Sequence, residues 1–251
     1  TRVVMSNITV TLPDGSPREL PAGSTARDLA NSIGRGLAKS AVAAVVDGAE
    51  TDLTRPLRDG AKVAIVTDST DEGRHVLRHS TAHVMAQAVQ ELFPGTQVTV
   101  GPSVEDGFYY DFARKEPFST DDFAKIEARR KEIVEKDYPI EREVWTRDDA
   151  IAHFKRIGEN YKAKIIDDII TAGEEVTIYR QGPWADLCRG PHLPSTGKLP
   201  KAFKLMKLAG AYWRGDHRNE MLQRTYGKAR ANEADLDAYR KRIKEDEKRD
   251  P

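Results

Sequence analysis

Residues 4–34 read VMSNITVTLPDGSPRELPAGSTARDLANSIG, and this stretch decides the class of the first part of the fold. Apolar side chains alternate along its first segment and meet the turn signal Pro13-Asp14-Gly15, which predicts a strand, a tight turn and a returning strand. After a second turn, Ser24 or Thr25 can cap a short helix that ends at Gly34-Arg35-Gly36. The helix is expected to bury one apolar face, formed by Ala26, Leu29, Ala30 and Ile33.

The next residues complete a small unit. A run of buried type at Ala41–Val46 leads to an Asp47-Gly48 turn, and a last strand is predicted at Ala61–Thr67. This order of elements indicates a small α+β sheet with one helix packed across it. The polar stretch Asp68–Gly73 is predicted to be the junction to a second unit. We therefore expect domains at residues 1–67 and 68–230, followed by a charged helical linker at 231–251.

Composition limits the class of protein. The chain has 251 residues, of which 39% are hydrophobic and 32% charged, as is typical of a soluble globular protein. The single cysteine excludes an intrachain disulfide and favours a reducing compartment. No apolar stretch approaches the ~20 residues of a membrane span, and the N-terminus lacks the layout of a signal peptide. A cytoplasmic protein without membrane contact is the expectation.

The overall charge is zero, but its distribution is uneven. Residues 198–230 contain nine Lys or Arg but only two acidic residues, Asp216 and Glu220. Tyr212 and Trp213 lie in the same stretch. A basic stretch with aromatic residues can bind a polyanion such as nucleic acid. A solvated charged surface is the alternative interpretation.

The second unit is predicted to contain both helices and strands. Its first helix, Leu77–Phe93, has an apolar stripe on one face and carries His79 and His83 on the other. Further along, the sequence predicts two strands within Thr99–Phe112 around Glu105-Asp106-Gly107, helices near 120–137 and 147–157, and a strand at Val176–Tyr179.

Two short pairs carry most of the chemical information. His79 and His83 lie four residues apart and so share a helix face. Cys188 and His192 have the same spacing, but a glycine and a proline between them indicate a turn. If the pairs meet, they can move protons in hydrolysis or bind zinc as a tetrahedral set. The alternative is a set of structural histidines and a buried free cysteine.

Four blocks of sequence resemble the N-terminal half of bacterial threonyl-tRNA synthetases: Arg78-His-Ser-Thr-Ala-His83, Gly107-Phe-Tyr-Tyr-Asp111, Asp186-Leu-Cys-Arg-Gly-Pro-His192 and Phe203-Lys-Leu-Met-Lys-Leu-Ala-Gly-Ala-Tyr-Trp-Arg-Gly-Asp216. The resemblance implies that residues 1–67 form a TGS module, a ubiquitin-like β-grasp domain. It also implies that residues 68–230 form an editing domain and that the tail connects to a catalytic domain which this chain does not contain.

The resemblance further implies a function: hydrolysis of mischarged seryl-tRNA(Thr) at the tRNA 3′ end. His79 would act as base or position water, His83 and His192 would shape the pocket, and Cys188 would pack against the seryl group. Three more roles follow from the resemblance: Asp186 would read the substrate ammonium, Lys162 would stabilise developing negative charge or the ribose, and Tyr110 would contact the terminal adenosine. Substrate binding is also assigned to Lys207 and Arg214. A surface lysine and a core aromatic are the alternatives for Lys162 and Tyr110.

The resemblance favours editing without a metal. If zinc binds, its ligands would be His79, His83, Cys188 and His192. ATP, magnesium and another zinc are expected only in the absent aminoacylation domain, and the full-length family member is expected to be a homodimer. Two other functions stay open: a free-standing zinc-dependent trans-editing hydrolase, and a non-catalytic tRNA-binding or regulatory module.

Overall fold

The computed structural model describes residues 6–99, 101–104, 107–230 and 233–249. The chain divides into two compact units, of which the first contains the residues up to Leu77 together with Gly190–Pro194. The second contains Arg78–Arg189 and the chain from Ser195 onward. Both units combine helices and strands, so the predicted α+β class is confirmed.

The first unit has five short strands and two short helices before a long helix begins. β1 and β2 form an antiparallel hairpin, and β3 lies between β4 and β5 in a three-stranded sheet. The buried face of α1 joins the core of this unit with Ala26, Leu29 and Ala30. The elements are β1 (Asn7–Thr11), β2 (Pro17–Pro21), α1 (Ala26–Ile33), α2 (Arg35–Ser40), β3 (Ala41–Val46), β4 (Ala49–Thr51) and β5 (Val63–Thr67).

The ends of α1 follow from local side-chain chemistry. Thr25 and Asp28 form a capping box, so Thr25 is the N-cap residue. The amide of Gly34 donates to the carbonyl of Ala30 and ends the helix as predicted. Helix α2 was not predicted, because the two closely spaced glycines, Gly34 and Gly36, indicate a loop. Extended backbone at Gly34 separates the two helices, and Leu37 of α2 packs against the core.

Helix α3 (Asp71–Leu92) starts earlier than predicted. The predicted polar junction at Asp68–Gly73 is therefore wrong for its last three residues. Thr70 Oγ1 accepts a hydrogen bond of 3.0 Å from the amide of Gly73 at the start of the helix. A Cβ on Gly73 would lie 1.8 Å from the carbonyl oxygen of Thr67, so only glycine fits there. Because glycine has a low helical propensity, Gly73 makes the first turn of α3 difficult to predict from the sequence.

The second unit starts inside α3 and contains two antiparallel sheets. Strands β12, β13, β8 and β6 are neighbours in that order, with β7 paired to β8, and β10 lies between β11 and β9. Its remaining elements are β6 (Gln97–Val98), β7 (Ser103–Val104), β8 (Gly107–Ala113), α4 (Asp122–Lys136), β9 (Ile140–Thr146), α5 (Arg147–Arg156), α6 (Asn160–Ile169), β10 (Glu175–Gln181), β11 (Trp184–Leu187), β12 (Ala202–Tyr212), β13 (Met221–Arg230) and α7 (Glu233–Arg249).

Helices α5 and α6 pack on the β9–β10 side of the smaller sheet. Phe154 of α5 and Ile166 of α6 belong to one apolar cluster with Val176 and Ile178 of β10. This packing matters for the site, because it fixes the helix that carries Lys162. The sequence analysis identified α5 and β10 but missed α6 and β9.

Other predictions of the sequence analysis have mixed outcomes. Helix α4 matches its predicted range closely and ends at Asp137, which has a left-handed φ of 49°. The predicted turn residues Glu105 and Asp106 lie outside the described residues. In the tail helix α7, Leu236 and Tyr239 are buried. None of the helices in the described ranges combines the length and apolar composition needed to cross a bilayer.

Candidate functional site

His79 and His83 lie one turn apart on α3, and their rings meet edge to face with centroids 4.8 Å apart. The helix is buried around almost its whole circumference from Ser80 to Val89. The prediction of an apolar face and a separate face with the two histidines is therefore incomplete, because residues on both faces of the helix are buried. His83 is only 4% exposed although it lies outside the stripe, while His79 is half-buried. His79 is thus the more accessible of the two imidazoles.

The lone cysteine lies beside the first of these histidines. Cys188 follows β11, and its backbone amide donates to the carbonyl of Thr177 in β10 at 3.2 Å. The Sγ atom is 2.8 Å from Nε2 of His79, across 109 positions of sequence. The predicted meeting of the early histidine pair with the thiol therefore occurs in this unit.

A buried ion pair lies next to the histidines. Lys162 of α6 places its Nζ 2.9 Å from Oδ1 of Asp186 in β11, and the two side chains are 5% and 1% exposed. The Lys162 ammonium also donates to the carbonyl of Thr99 at 2.7 Å. Lys162 is therefore a buried site residue, and the alternative of a surface lysine is wrong.

Tyr110 of β8 connects to the same carboxylate. Its hydroxyl donates to Oδ2 of Asp186 at 2.9 Å, and Nδ1 of His83 lies 3.4 Å from that oxygen. Burial, followed by the negative charge of Asp186, raises the pKa of Tyr110 well above its usual value. The phenol consequently stays protonated and acts as a donor. Tyr110 is 1% exposed, so it is a core aromatic whose hydroxyl also contacts Asp186, and its contact with an adenosine stays a prediction.

A second carboxylate, Glu159, supports this group and was missed by the sequence analysis. It is 6% exposed and accepts hydrogen bonds from the side-chain amide of Gln90 and from the backbone amide of Val98. Burial and the nearby charge of Asp186 raise its pKa to about 7. Only its position three residues before Lys162 could have drawn attention to it.

The second unit contains a cavity of about 820 Å³, which lies within the usual size range of small-molecule sites. Asp186 and Glu159 are not in its lining and lie behind the residues that are. The lining combines polar and charged groups with apolar side chains of α6. Members of the lining that matter for the chemistry are His79, His83, Tyr110, Lys162, Cys188, Arg189, Arg214 and Arg224.

Three basic side chains near the cavity differ in their surroundings. Arg224, which the sequence analysis missed, binds the carboxylate of Asp111 through Nε and one terminal nitrogen at 2.8 and 2.9 Å. Arg214 lines the cavity, has a left-handed φ of 55°, and pairs with Asp168 at 2.8 Å. Lys207 does not belong to the cavity lining; its ammonium lies over the ring of Tyr226 at 4.6 Å.

His192 belongs to the segment Gly190–Pro194, which groups with the first unit. Its side chain is buried, and its backbone amide donates to Oδ1 of Asp52 at 2.9 Å. The role assigned to it from sequence stays a prediction.

The donor atoms of His79, His83 and Cys188 lie within 4.8 Å of one another, and their types suit zinc. A tetrahedral zinc would hold a histidine nitrogen and a cysteine sulfur about 3.6 Å apart, given its usual bond lengths. Nε2 of His79 and Sγ of Cys188 are closer, at 2.8 Å, and contact each other directly. The donor types therefore fit zinc, whereas these two atoms lie closer together than two ligands of one zinc.

Comparisons with known proteins agree on the family. Residues 8–67 match the TGS domain, and residues 176–226 match the threonyl and alanyl tRNA synthetase second additional domain. Threonine–tRNA ligases from Hyphomonas neptunium, Maricaulis maris and Phenylobacterium zucineum are 69%, 63% and 61% identical to the chain over 243 residues.

Each of these alignments covers 97% of the chain but only 37% or 38% of the relative, so the chain spans less than two fifths of their length. The order of the two matched domains is the one that the sequence blocks predict. The chain belongs to the threonine–tRNA ligase family and corresponds to its N-terminal region.

Proposed function

We propose that this chain hydrolyses the ester bond of seryl-tRNA(Thr), releasing serine and free tRNA. The observation that carries the proposal is one cavity bordered by an accessible imidazole, a thiol and a buried lysine, whose ammonium pairs with the carboxylate of Asp186. These groups can activate water and stabilise negative charge, the two requirements of ester hydrolysis. We further propose that the ligand is the tRNA(Thr) 3′ end and that the protein works in the cytoplasm as part of a homodimer.

The need for such a reaction follows from a small difference between amino acids. Serine lacks one methyl group of threonine, and a missing methyl changes binding by only about 1–3 kcal/mol. A synthetase site that accepts threonine therefore also accepts serine at an appreciable rate. A second site that excludes the larger threonyl group can remove the error after transfer.

In the proposed reaction, a water oxygen attacks the ester carbonyl carbon while a water proton passes to the imidazole of His79. The carbon–oxygen bond to the ribose then breaks, and the ribose oxygen leaves as a hydroxyl by taking the proton that His79 received from water. Lys162 stabilises the negative charge that develops on the carbonyl oxygen. Its contacts to Thr99 and Asp186 hold the ammonium at the cavity before substrate binds.

The remaining side chains would determine fit and orientation. Cys188 contacts His79 directly, so its sulfur limits the space beside the reacting centre. The carboxylate of Asp186 would read the substrate ammonium while His83 and Tyr110 fix its second oxygen. We propose that Tyr110 orients Asp186 in addition to facing the adenosine, and that Arg214, rather than Lys207, contacts the tRNA from the cavity lining.

A paired substitution on one helix tests the proposal. His79→Ala removes the proposed base, whereas His75→Ala changes an exposed histidine one turn earlier on α3. Deacylation of seryl-tRNA(Thr) is expected to fall by about 10²-fold or more in the first variant and to stay unchanged in the second. Equal rates for His79→Ala and the wild-type chain would contradict the proposed role.

One observation favours a second mechanism for the same reaction. The donor types of His79, His83 and Cys188 match a catalytic zinc site with three protein ligands. When bound, zinc would lower the pKa of its water ligand and supply hydroxide at neutral pH. The short contact between His79 and Cys188 leads us to propose the metal-independent mechanism instead.

A further inference from the structure

Glu159 occupies an unusual position for an acidic residue at the start of a helix. It is the N-cap residue of α6, yet its side chain does not cap that helix. Instead, Oε1 of Gln97 accepts the amides of Asn160 and Tyr161 at 2.9 and 3.4 Å. The carboxylate of Glu159 therefore points into the interior instead of capping the helix. Burying a charge there costs free energy unless hydrogen bonds satisfy it.

One oxygen of Glu159 holds the backbone that positions Lys162. Oε2 accepts the amide of Val98 at 3.2 Å, and the next residue, Thr99, presents the carbonyl that accepts from the Lys162 ammonium. The amide and hydroxyl of Thr99 both donate to the carbonyl of Asp111, which fixes this short segment to β8. A shift of Val98 would therefore move one of the three acceptors that hold Lys162, which are Thr99, Asp186 and Tyr110.

The other oxygen of Glu159 leads to His83. Oε1 accepts from the side-chain amide of Gln90, whose oxygen in turn accepts the indole N–H of Trp184 at 2.5 Å. The Trp184 ring meets the His83 imidazole edge to face with centroids 5.9 Å apart. Because an indole nitrogen can only donate, the amide of Gln90 must turn its nitrogen toward Glu159.

We propose that Glu159 is a positioning residue for the deacylation centre, holding Lys162 through Val98 and Thr99 and holding His83 through Gln90 and Trp184. This inference rests on the proposed function. It assigns the positioning of Lys162 and His83 to a residue that does not itself take part in the reaction. Both oxygens of Glu159 face donors, so only the ionised carboxylate satisfies both contacts.

The environment of Glu159 makes this arrangement sensitive to pH. Asp186 of β11 and Lys162 of α6 are the charged groups that act on it, and the neutral hydroxyl of Tyr110 on β8 also lies in its field. The pKa of Glu159 is raised to about 7. Protonation of Glu159 would direct its O–H toward the N–H of either Gln90 or Val98. The hydrogen bond between Glu159 and that residue would then be weakened.

The substitution Glu159→Gln imitates the protonated state at every pH. Its amide nitrogen must face either Gln90 or Val98, both of which donate. We expect kcat for seryl-tRNA(Thr) deacylation at pH 8 to fall about tenfold to a hundredfold, as displaced catalytic groups do, with KM changed less than about threefold. At pH 6 the ratio of wild-type to variant kcat should be several-fold smaller than at pH 8, because about nine tenths of the wild-type carboxyl is then protonated at a pKa of about 7. Glu135→Gln, on an exposed position of α4, is the matched control.

A double substitution, Gln90→Glu with Glu159→Gln, distinguishes positioning from a general effect on folding. A carboxylate at position 90 can accept from both Trp184 and the new amide at 159, whose oxygen still accepts from Val98. A carboxylate at position 90 cannot replace the hydrogen bond that the Gln90 amide donates to the carbonyl of Thr96 at 2.9 Å, so we expect the double variant to recover part of the lost kcat. Thermal unfolding midpoints of all variants are recorded alongside.

Three results would overturn the inference: wild-type kcat at pH 8 in Glu159→Gln, an equal loss at pH 6 and pH 8, or a double variant no better than the single one. Absence of deacylation by the wild-type chain would instead overturn the proposed function, and this inference with it.

Discussion

The ammonium of Lys162 lies 2.9 Å from the carboxylate of Asp186, and both side chains are almost fully excluded from solvent. One partner comes from helix α6 and the other from strand β11, so their contact depends on packing within the second unit. Removing charges from water costs several kcal/mol for each ion unless good partners are present. Here Thr99 and Tyr110 supply further hydrogen bonds, so the pair is both satisfied and held at the cavity.

Removing one member of this pair should destabilise the chain. Lys162→Met leaves the buried carboxylate of Asp186 without its cation, and we expect a loss of about 3–5 kcal/mol in the free energy of unfolding. Adding Asp186→Asn removes the second charge while keeping an acceptor for Tyr110, so it should restore part of that stability. Urea unfolding of the two variants measures this, and a double variant less stable than Lys162→Met would contradict it.

The same two variants separate stability from activity. The double variant lacks the ammonium that the proposed reaction requires, so it should stay inactive in deacylation although it is more stable than Lys162→Met. Activity that rises together with stability would show that Lys162 only supports the fold.

Tyr110→Phe tests the hydroxyl that orients Asp186. The substitution keeps the ring but removes the donor to Oδ2, and we expect a loss of about 1 kcal/mol in stability. The pKa of Tyr110 lies well above its usual value, so its hydroxyl does not titrate near neutral pH. The ratio of wild-type to variant kcat should therefore be constant between pH 6 and pH 9, and a ratio that changes across this range would argue against a fixed donor.

Chelation tests the metal-independent mechanism. The direct contact of His79 with Cys188 leads us to expect that dialysis against EDTA leaves seryl-tRNA(Thr) deacylation unchanged. Elemental analysis of the purified chain provides the independent measurement. Zinc present in a one-to-one ratio, and lost together with activity, would support the zinc mechanism instead.

Stability should depend on pH through Glu159. Its pKa is raised from 4.5 to about 7 in the folded chain, so the folded state binds a proton more strongly than the unfolded state. The resulting stabilisation is complete below pH 4.5 and is lost as pH rises through 7, by about 3 kcal/mol in all.

Comparison with Glu159→Gln isolates this contribution. The difference in unfolding free energy, wild type minus variant, should fall by that amount between pH 4.5 and pH 7.5 because glutamine does not titrate. A difference that is constant with pH would mean that the pKa of Glu159 is not raised.

The sequence predicted the parts of the fold that have local signals. Helix α1 has a capping threonine and a glycine after its last turn, and α4 has clear helical periodicity, so both were located well. Helices α2 and α6 were missed because glycines precede each of them, at Gly34 and Gly158. The hairpin of β12 and β13 contains a recognisable sequence block. The pairing of β13 with β8 could not be predicted, because it joins residues that lie far apart in sequence.

The site was predictable to the extent that its residues are chemically unusual. Histidine and cysteine at short spacing drew attention to His79, His83 and Cys188, and the structure brings these three together. Glu159 and Arg224 could not be found in this way, because a glutamate and an arginine are common surface residues. Their significance comes from burial and from partners more than 60 residues away in sequence.

The most direct test of the central claim is the initial rate of deacylation of seryl-tRNA(Thr) and threonyl-tRNA(Thr) by the purified chain under identical conditions. The account predicts rapid release of serine and at least tenfold slower release of threonine, as exclusion of one methyl group allows. Equal release of the two amino acids, or release of neither above the rate in buffer alone, would contradict it.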